Sequence, residues 1–190
     1  MDGIIGQPSL QDNVLVTNMH GLHGASMHEA AILSMLALAR DLPRVLRNQA
    51  RHVWDRFPSR LLKGKTVGIV GVGAIAEDLA PKCKMFGMSV VGITSAKREV
   101  AGFDRMVGRD RLEEAVRELD YVLLLTPYTP QTCGIVNAKI LAAMKPTSFL
   151  INLARGGVVD EPALIEALKG RRIAGALSER RRANRSTSST

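Results

Sequence analysis

At 190 residues the chain fits one ordinary domain, which buries about 70% of the surface its unfolded form exposes and needs no metal or disulfide to hold a core. Hydrophobic residues supply 46% and aromatics 4%, so that core is aliphatic; two cysteines 50 positions apart, Cys83 and Cys133, argue against a disulfide framework or metal cluster and for a reducing compartment. The net charge of +8 raises the class of nucleic-acid binders, but six arginines against one glutamate in the last twenty residues hold most of it.

The start, MDGIIGQPSLQDN, lacks the charged and apolar regions of a signal peptide. No apolar run nears the roughly 18 residues of a membrane span, which predicts a soluble, cytoplasmic protein. Val14 to Thr17 is a short strand candidate. A helix is predicted from Ser26 to Leu42, with Ser26 as N-cap and Glu29 three residues on in a capping-box pattern. Its stretch MHEAAILSMLALAR is apolar nearly all round, because His28, Glu29, Ser34 and Arg40 are too scattered to make a wide wet face. Such a helix is buried on more than one side. One side covers the core, and the other is assigned to a second copy of the chain as a homodimer surface. Pro43 breaks the helix and opens another that ends near Arg51. His20, His23, His28 and His52 lack metal-ligand spacing and read as hinge, cap or surface residues. Trp54 is expected to pack a helix against the sheet.

A regular series follows: strand Thr66–Val70, helix Ala74 to Phe86, strand Ser89 to Ile93, helix Arg111 to Leu119, strand Tyr121 to Leu125. It continues with helix Asn137 to Met144, strand Ser148 to Leu153, helix Glu161 to Leu168 and a last strand beginning near Ile173. Short apolar strands alternating with helices are the pattern of a parallel sheet covered on both faces. The tail SERRRANRSTSST has no apolar residue larger than alanine. It reads as disordered and solvated, rather than as a nucleic-acid contact through Arg180, Arg181 and Arg182.

Between the first strand of this series and its helix stands GVGAIA, residues 71–76, a G-x-G-x-x-A variant of the dinucleotide-binding loop in its proper βαβ setting. Gly71 allows the tight turn and Gly73 lets the backbone approach a pyrophosphate. The N–H groups of Gly73, Ala74 and Ile75 face the anion from the helix N-terminus. The third position serves helix–strand packing, where Ala76 is an accepted variant. The fold class expected is therefore α/β, a Rossmann-like doubly wound parallel sheet with helices on both faces. The second strand ends VVGITSAKRE, with no carboxylate for the adenosine ribose 2′-hydroxyl. Thr94 and Ser95 at its tip, with Lys97 and Arg98 beyond, suit a 2′-phosphate and favour NADP over NAD as cofactor.

Two longer runs, LVTNMHGLHGASMHEAAILSMLALARDLPR and LLTPYTPQTCGIVNAKILAAMKPTSFLINLARGGVVDEPALIEAL, closely resemble the D-isomer-specific 2-hydroxyacid dehydrogenases. The resemblance extends roughly from Asn13 to Leu177, and INLARGGVVDEPAL is its most specific part. It implies a cofactor domain with a separate substrate-facing domain, and reduction of a small 2-keto acid by a nicotinamide hydride. Arg155 matches the family's catalytic arginine, which holds the substrate carboxylate and polarises the keto group. A planar guanidinium suits that task, offering forked donors to a carboxylate and stabilising charge on the carbonyl oxygen. Gly156 and Gly157 beside it would let backbone and ligand come close. The resemblance also places Thr126 and Pro127 along the adenosine side, Thr132 near the phosphates or nicotinamide ribose, and Leu153 and Ala154 beneath the nicotinamide. Cys133 occupies a position often basic in the family.

On the same resemblance the chain divides into an N-terminal remnant (1–12), an NAD(P)-binding domain (13–177) and a basic tail (178–190). The family continues past Ile173 into an ALDVFE-like segment, then supplies an aspartate, a glutamate and a histidine acid/base. This chain reads IAGALSERRRANRSTSST instead. Without a proton donor, hydride transfer forgoes about 10²–10⁴-fold of rate, so cofactor binding with negligible turnover is expected. The abrupt change reads as a frameshift or truncation, which predicts LDVFE-like codons in another frame past Ala176. The competing function class is a non-catalytic dinucleotide-binding or interaction module on the same fold.

Overall fold

The computed structural model describes residues 24–96 and 99–178. Six strands form one sheet; in the four central ones, short apolar runs are buried on both faces, while the edge strands are partly exposed. The six are β1 (Thr66–Val70), β2 (Ser89–Thr94), β3 (Arg105–Gly108), β4 (Tyr121–Leu124), β5 (Phe149–Asn152) and β6 (Gly175–Ser178). All pair in parallel, in the order β3-β2-β1-β4-β5-β6. The chain steps outward from β1 to β3 and then returns to β4 on the other side of β1. The carboxyl ends of β1 and β4 therefore flank the switch point, where doubly wound sheets take their ligands.

Helices cover both faces: α1 (Gly24–Ala39), α2 (Leu42–Ala50), α3 (Ala74–Met85), α4 (Leu112–Val116), α5 (Ala138–Ala143) and α6 (Glu161–Lys169). Side-chain alternation along each strand feeds two cores. Val67, Ile69, Leu123 and Ile151 meet Met35 of α1 and Leu79 and Cys83 of α3. Val70, Val122, Leu124 and Leu150 meet Val116 of α4, Leu141 of α5 and Leu164 of α6. The expected fold class is what the chain adopts. Local chemistry sets the starts of α5 and α6: Asn137 accepts from the N–H groups of Lys139 and Ile140, and Asp160 from that of Ala163.

Four expectations need correction. Ser26 lies inside α1, whose helical backbone already runs from Gly24, so it cannot be the extended residue an N-cap requires. Leu42 starts α2 instead of ending α1, because the chain turns at Asp41 with φ 48° before Pro43 enters the first helical turn. Trp54 is 91% exposed instead of packed; its segment is fixed by its neighbours, with Arg44 paired to Asp55 at 2.6 Å and lying 4.2 Å from the Phe57 ring centroid. His28 is buried, and its Nε2 donates to the Ile75 carbonyl at 3.1 Å, tying α1 to the start of α3. His52 is exposed. The predicted strand from Val14 to Thr17, His20 and His23 all lie outside the described residues.

Cys83 is fully buried between α3 and the sheet, and burial pushes its thiol up to about 11. The unfolded thiol ionises near 9 and the folded one does not. The raised value thus leaves stability untouched below pH 9 and removes it as pH climbs towards 11, by up to about 3 kcal/mol. The difference in urea midpoint between the wild type and Cys83→Ala should shrink over that interval. In the native state below pH 9 a thiol reagent should label Cys133 alone. Equal labelling rates for both cysteines would contradict the burial.

Candidate functional site

At the switch point the backbones of two strands nearly touch. Gly71 follows β1 with φ +98°, and a Cβ there would stand 2.6 Å from the Thr126 nitrogen. Its N–H donates to the Ile93 carbonyl of β2 at 2.9 Å, and the Leu125 N–H donates to the Val70 carbonyl at 2.9 Å. Gly71 thus lets three strand ends converge. Gly73 differs: its φ of −134° suits any residue, and an added Cβ would meet nothing within 4 Å. It caps α3 without a side-chain acceptor for the first-turn N–H groups, so the donors of Ala74 and Ile75 face open space at the positive end of a helix dipole. Ala76 is buried against the sheet, as its packing role requires.

Around this turn runs a crevice of about 290 Å³ lined by Gly71, Gly73, Thr94, Ser95, Thr126, Pro127 and Thr132. The structure therefore brings together seven of the predicted site residues from three loops. Thr132 is 2% exposed, and its hydroxyl donates to the Pro127 carbonyl at 2.6 Å while accepting from the Thr129 N–H at 2.8 Å. That hydroxyl shapes the loop after β4. Leu153 is buried in the core and Ala154 half-buried, at the end of β5. Lys97 and Arg98 lie outside the described residues. A larger hollow of about 480 Å³ lies around Arg60, Lys65, Asp120 and Phe149, at the amino ends of the strands, the edge away from the switch point.

The crevice suits a dinucleotide. The fold makes no use of the missing side chain at Gly73, and the space it leaves lies directly over an uncapped helix N-terminus, where a pyrophosphate binds. The family model described as "D-isomer specific 2-hydroxyacid dehydrogenase, NAD binding domain" matches residues 32–179. The chain belongs to this family.

The D-3-phosphoglycerate dehydrogenase of Methanocaldococcus jannaschii is 34% identical over 179 residues, covering 93% of this chain and 34% of that protein. The chain thus spans about a third of the length of that curated relative. Among solved structures, a 2-hydroxyacid dehydrogenase family protein from Aeromonas salmonicida superposes with a TM-score of 0.87 at 28% identity, over 98% of this chain and 61% of that one. A D-isomer specific 2-hydroxyacid dehydrogenase from Xanthobacter autotrophicus Py2, in complex with NADPH and MES, gives 0.81 at 29% identity, over 98% and 78%.

The signature INLARGGVV spans the end of β5 and the turn after it. Arg155 is exposed there, held by a neighbour whose role sequence reading missed. Asn152 is 2% exposed; its Nδ2 donates to the Arg155 carbonyl at 3.2 Å and its Oδ1 accepts from the Ala154 N–H at 3.0 Å. One carboxamide thus spans the turn and sets the backbone that carries the guanidinium. The Gly134 N–H adds a bond to the Gly157 carbonyl at 2.9 Å. A Cβ at Gly157 would strike the Tyr128 ring at 2.7 Å, so this glycine serves loop packing, while Gly156 opens onto free space. Replacing Asn152 by alanine would leave the half-buried Ala154 N–H unmet and remove one of two bonds from the Arg155 carbonyl, which keeps that from the Val158 N–H at 3.1 Å, lowering stability by about 1–2 kcal/mol. Asn152→Asp should recover only the bond to Ala154, since a carboxylate cannot donate to the Arg155 carbonyl. Denaturant unfolding measures both variants; an alanine variant as stable as the wild type would refute the clamp.

Proposed function

We propose that the chain is the cofactor-holding part of an oxidoreductase that moves a hydride between a nicotinamide dinucleotide and a small 2-keto or 2-hydroxy acid, with NADP preferred over NAD. The observation that carries this reading is the open space at Gly73 over the N-terminus of α3, at the switch point of a sheet that belongs to this family. Gly71, Gly73, Ala74 and Ile75 would hold the pyrophosphate through backbone N–H groups. Thr94 and Ser95 would face the adenosine ribose, with Lys97 and Arg98 beyond, and Thr126, Pro127 and Thr132 would wall the other side. Leu153 and Ala154 would underlie the nicotinamide. The bound cofactor supplies or accepts the hydride. Arg155 would bind the substrate carboxylate through its guanidinium fork and stabilise charge on the keto oxygen. The substrate-facing residues and the proton donor would come from sequence outside the matched segment, in keeping with relatives about three times as long.

Titrating NADPH and NADH while following nicotinamide fluorescence tests the reading, since the exposed Trp54 is a poor reporter. Saturable binding, tighter for NADPH, is expected, with negligible turnover of glyoxylate or hydroxypyruvate by this chain alone. Failure to bind either dinucleotide would overturn the reading. Robust turnover would overturn the assignment of the proton donor.

The outer side of α1 supports a homodimer. Leu33 is 63% exposed and, with Ile32 and Leu36, lines a hollow of about 640 Å³ against α3. The expected outcome is a dimer in sedimentation velocity that Leu33→Glu dissociates. Among the described residues no helix is long and apolar enough to cross a membrane. With both cysteines unpaired, a cytoplasmic setting fits.

A further inference from the structure

The edge strand β3 has no counterpart in the sequence pattern, and it delivers a residue to the crevice. Its register sets Gly108 beside Thr94 of β2. Arg109 therefore leaves the sheet alongside Ser95, one strand spacing of about 4.8 Å away. It is half-buried and lines the same crevice as Gly71, Gly73, Thr94 and Ser95. The neighbouring arginines are engaged elsewhere: Arg105 pairs with Glu118 and Arg111 with Glu114, each at 2.7 Å. Among the described residues no carboxylate forms an ion pair with Arg109. The adjacent Asp110 folds its carboxylate back against Gly108 and does not line the crevice.

Position in the sheet separates this cation from the pyrophosphate site. The pyrophosphate belongs to the turn between β1 and α3, and the adenosine ribose to the tip of β2. Arg109 stands one strand farther out, on the side where a 2′-substituent would lie. The tip of β2 carries the hydroxyls of Thr94 and Ser95 beside Ala96, with no carboxylate to repel an anion. We propose that Arg109 reads the adenosine 2′-phosphate and is a further specificity-determining residue for NADP over NAD. The proposal rests on the reading of the crevice as a nicotinamide dinucleotide site. A guanidinium presents a fork of donors to phosphate oxygens, which a ribose hydroxyl cannot exploit.

Calorimetric titration of the whole chain tests it, using NADPH and NADH, with 2′,5′-ADP and 5′-AMP as minimal probes. Arg109→Ala should weaken NADPH and 2′,5′-ADP about 10–100-fold and leave NADH and 5′-AMP within about twofold. Arg109→Lys should recover part of the loss, keeping charge without the fork. Unchanged NADPH affinity in Arg109→Ala would overturn the proposal, as would equal weakening of NADPH and NADH, the mark of adenine stacking or loop support. A wild type that binds NADH without preferring NADPH would overturn it and leave the crevice reading intact. One that binds neither dinucleotide would sink both.

Discussion

Replacing Gly73 by aspartate is expected to strengthen the fold slightly while lowering affinity for either nicotinamide dinucleotide at least 100-fold. The two effects have opposite signs because they draw on different properties of one position. For the fold, Gly73 is an exposed N-cap with an extended backbone and free space around it. An aspartate there can accept from the first-turn N–H groups, interact with the helix dipole and lose less chain entropy than glycine, together worth about 0.5–1 kcal/mol. For the ligand, the same carboxylate occupies the donors a pyrophosphate would use and sets like charges a few ångströms apart, which costs about 4 kcal/mol near a protein surface. Gly73→Ser separates the two contributions, since it caps without charge and should weaken binding less. Thermal unfolding without ligand, paired with fluorescence titration, reads both quantities. Dinucleotide affinity within threefold of wild type in Gly73→Asp would show that the pyrophosphate does not lie on α3.

Why sequence reading reached this turn and missed Arg109 follows from what each depends on. The turn sits between β1 and α3, whose apolar runs announce themselves locally, and its glycines form a spaced motif. β3 is four residues, Arg105 to Gly108, with no fully buried position. Such an edge strand exists because β2 offers it a partner, and no periodicity within four residues encodes that. Arg109 then looks like one basic residue in a charged loop until the register with Thr94 places it. Asn152 was hidden differently. It was plain inside INLARGG, but its value lies in spanning the Ala154 N–H and the Arg155 carbonyl, a distance the fold defines. Trp54 is the opposite case: its size and aromaticity predict burial, whereas Asp55 and Phe57 take the contacts with Arg44 and Trp54 stays exposed. Thr132 shows that a residue can line the crevice while its hydroxyl is already committed to Pro127 and Thr129.

Gly71→Ala should be the most destabilising single-methyl change among the described residues, at about 3–5 kcal/mol. At φ +98° an alanine is strained by about 1–2 kcal/mol, as in other left-handed backbone. Its Cβ would also stand 2.6 Å from the Thr126 nitrogen, 2.7 Å from its Cα and 2.9 Å from the Leu125 carbonyl carbon. These are backbone atoms and cannot rotate away, so the clash forces apart the ends of β1 and β4, adding the 1–3 kcal/mol or so typical of overpacking. Relief by moving Gly71 would break its bond to the Ile93 carbonyl and loosen β2 as well. Against a typical total of about 5–15 kcal/mol, such a loss unfolds a large share of the protein at moderate temperature. Urea unfolding alongside Gly73→Ala, which meets no neighbour, isolates the cause. A loss for Gly71→Ala below about 1 kcal/mol would mean that the pinch between β1 and β4 relaxes freely. If the loss is as large as expected, the two glycines of the motif divide their labour: the first lets the strands converge at the switch point, and the second keeps the space above α3 open for an anion. A binding defect in Gly71→Ala then reports on folding, and a clean measure of the site has to come from Gly73.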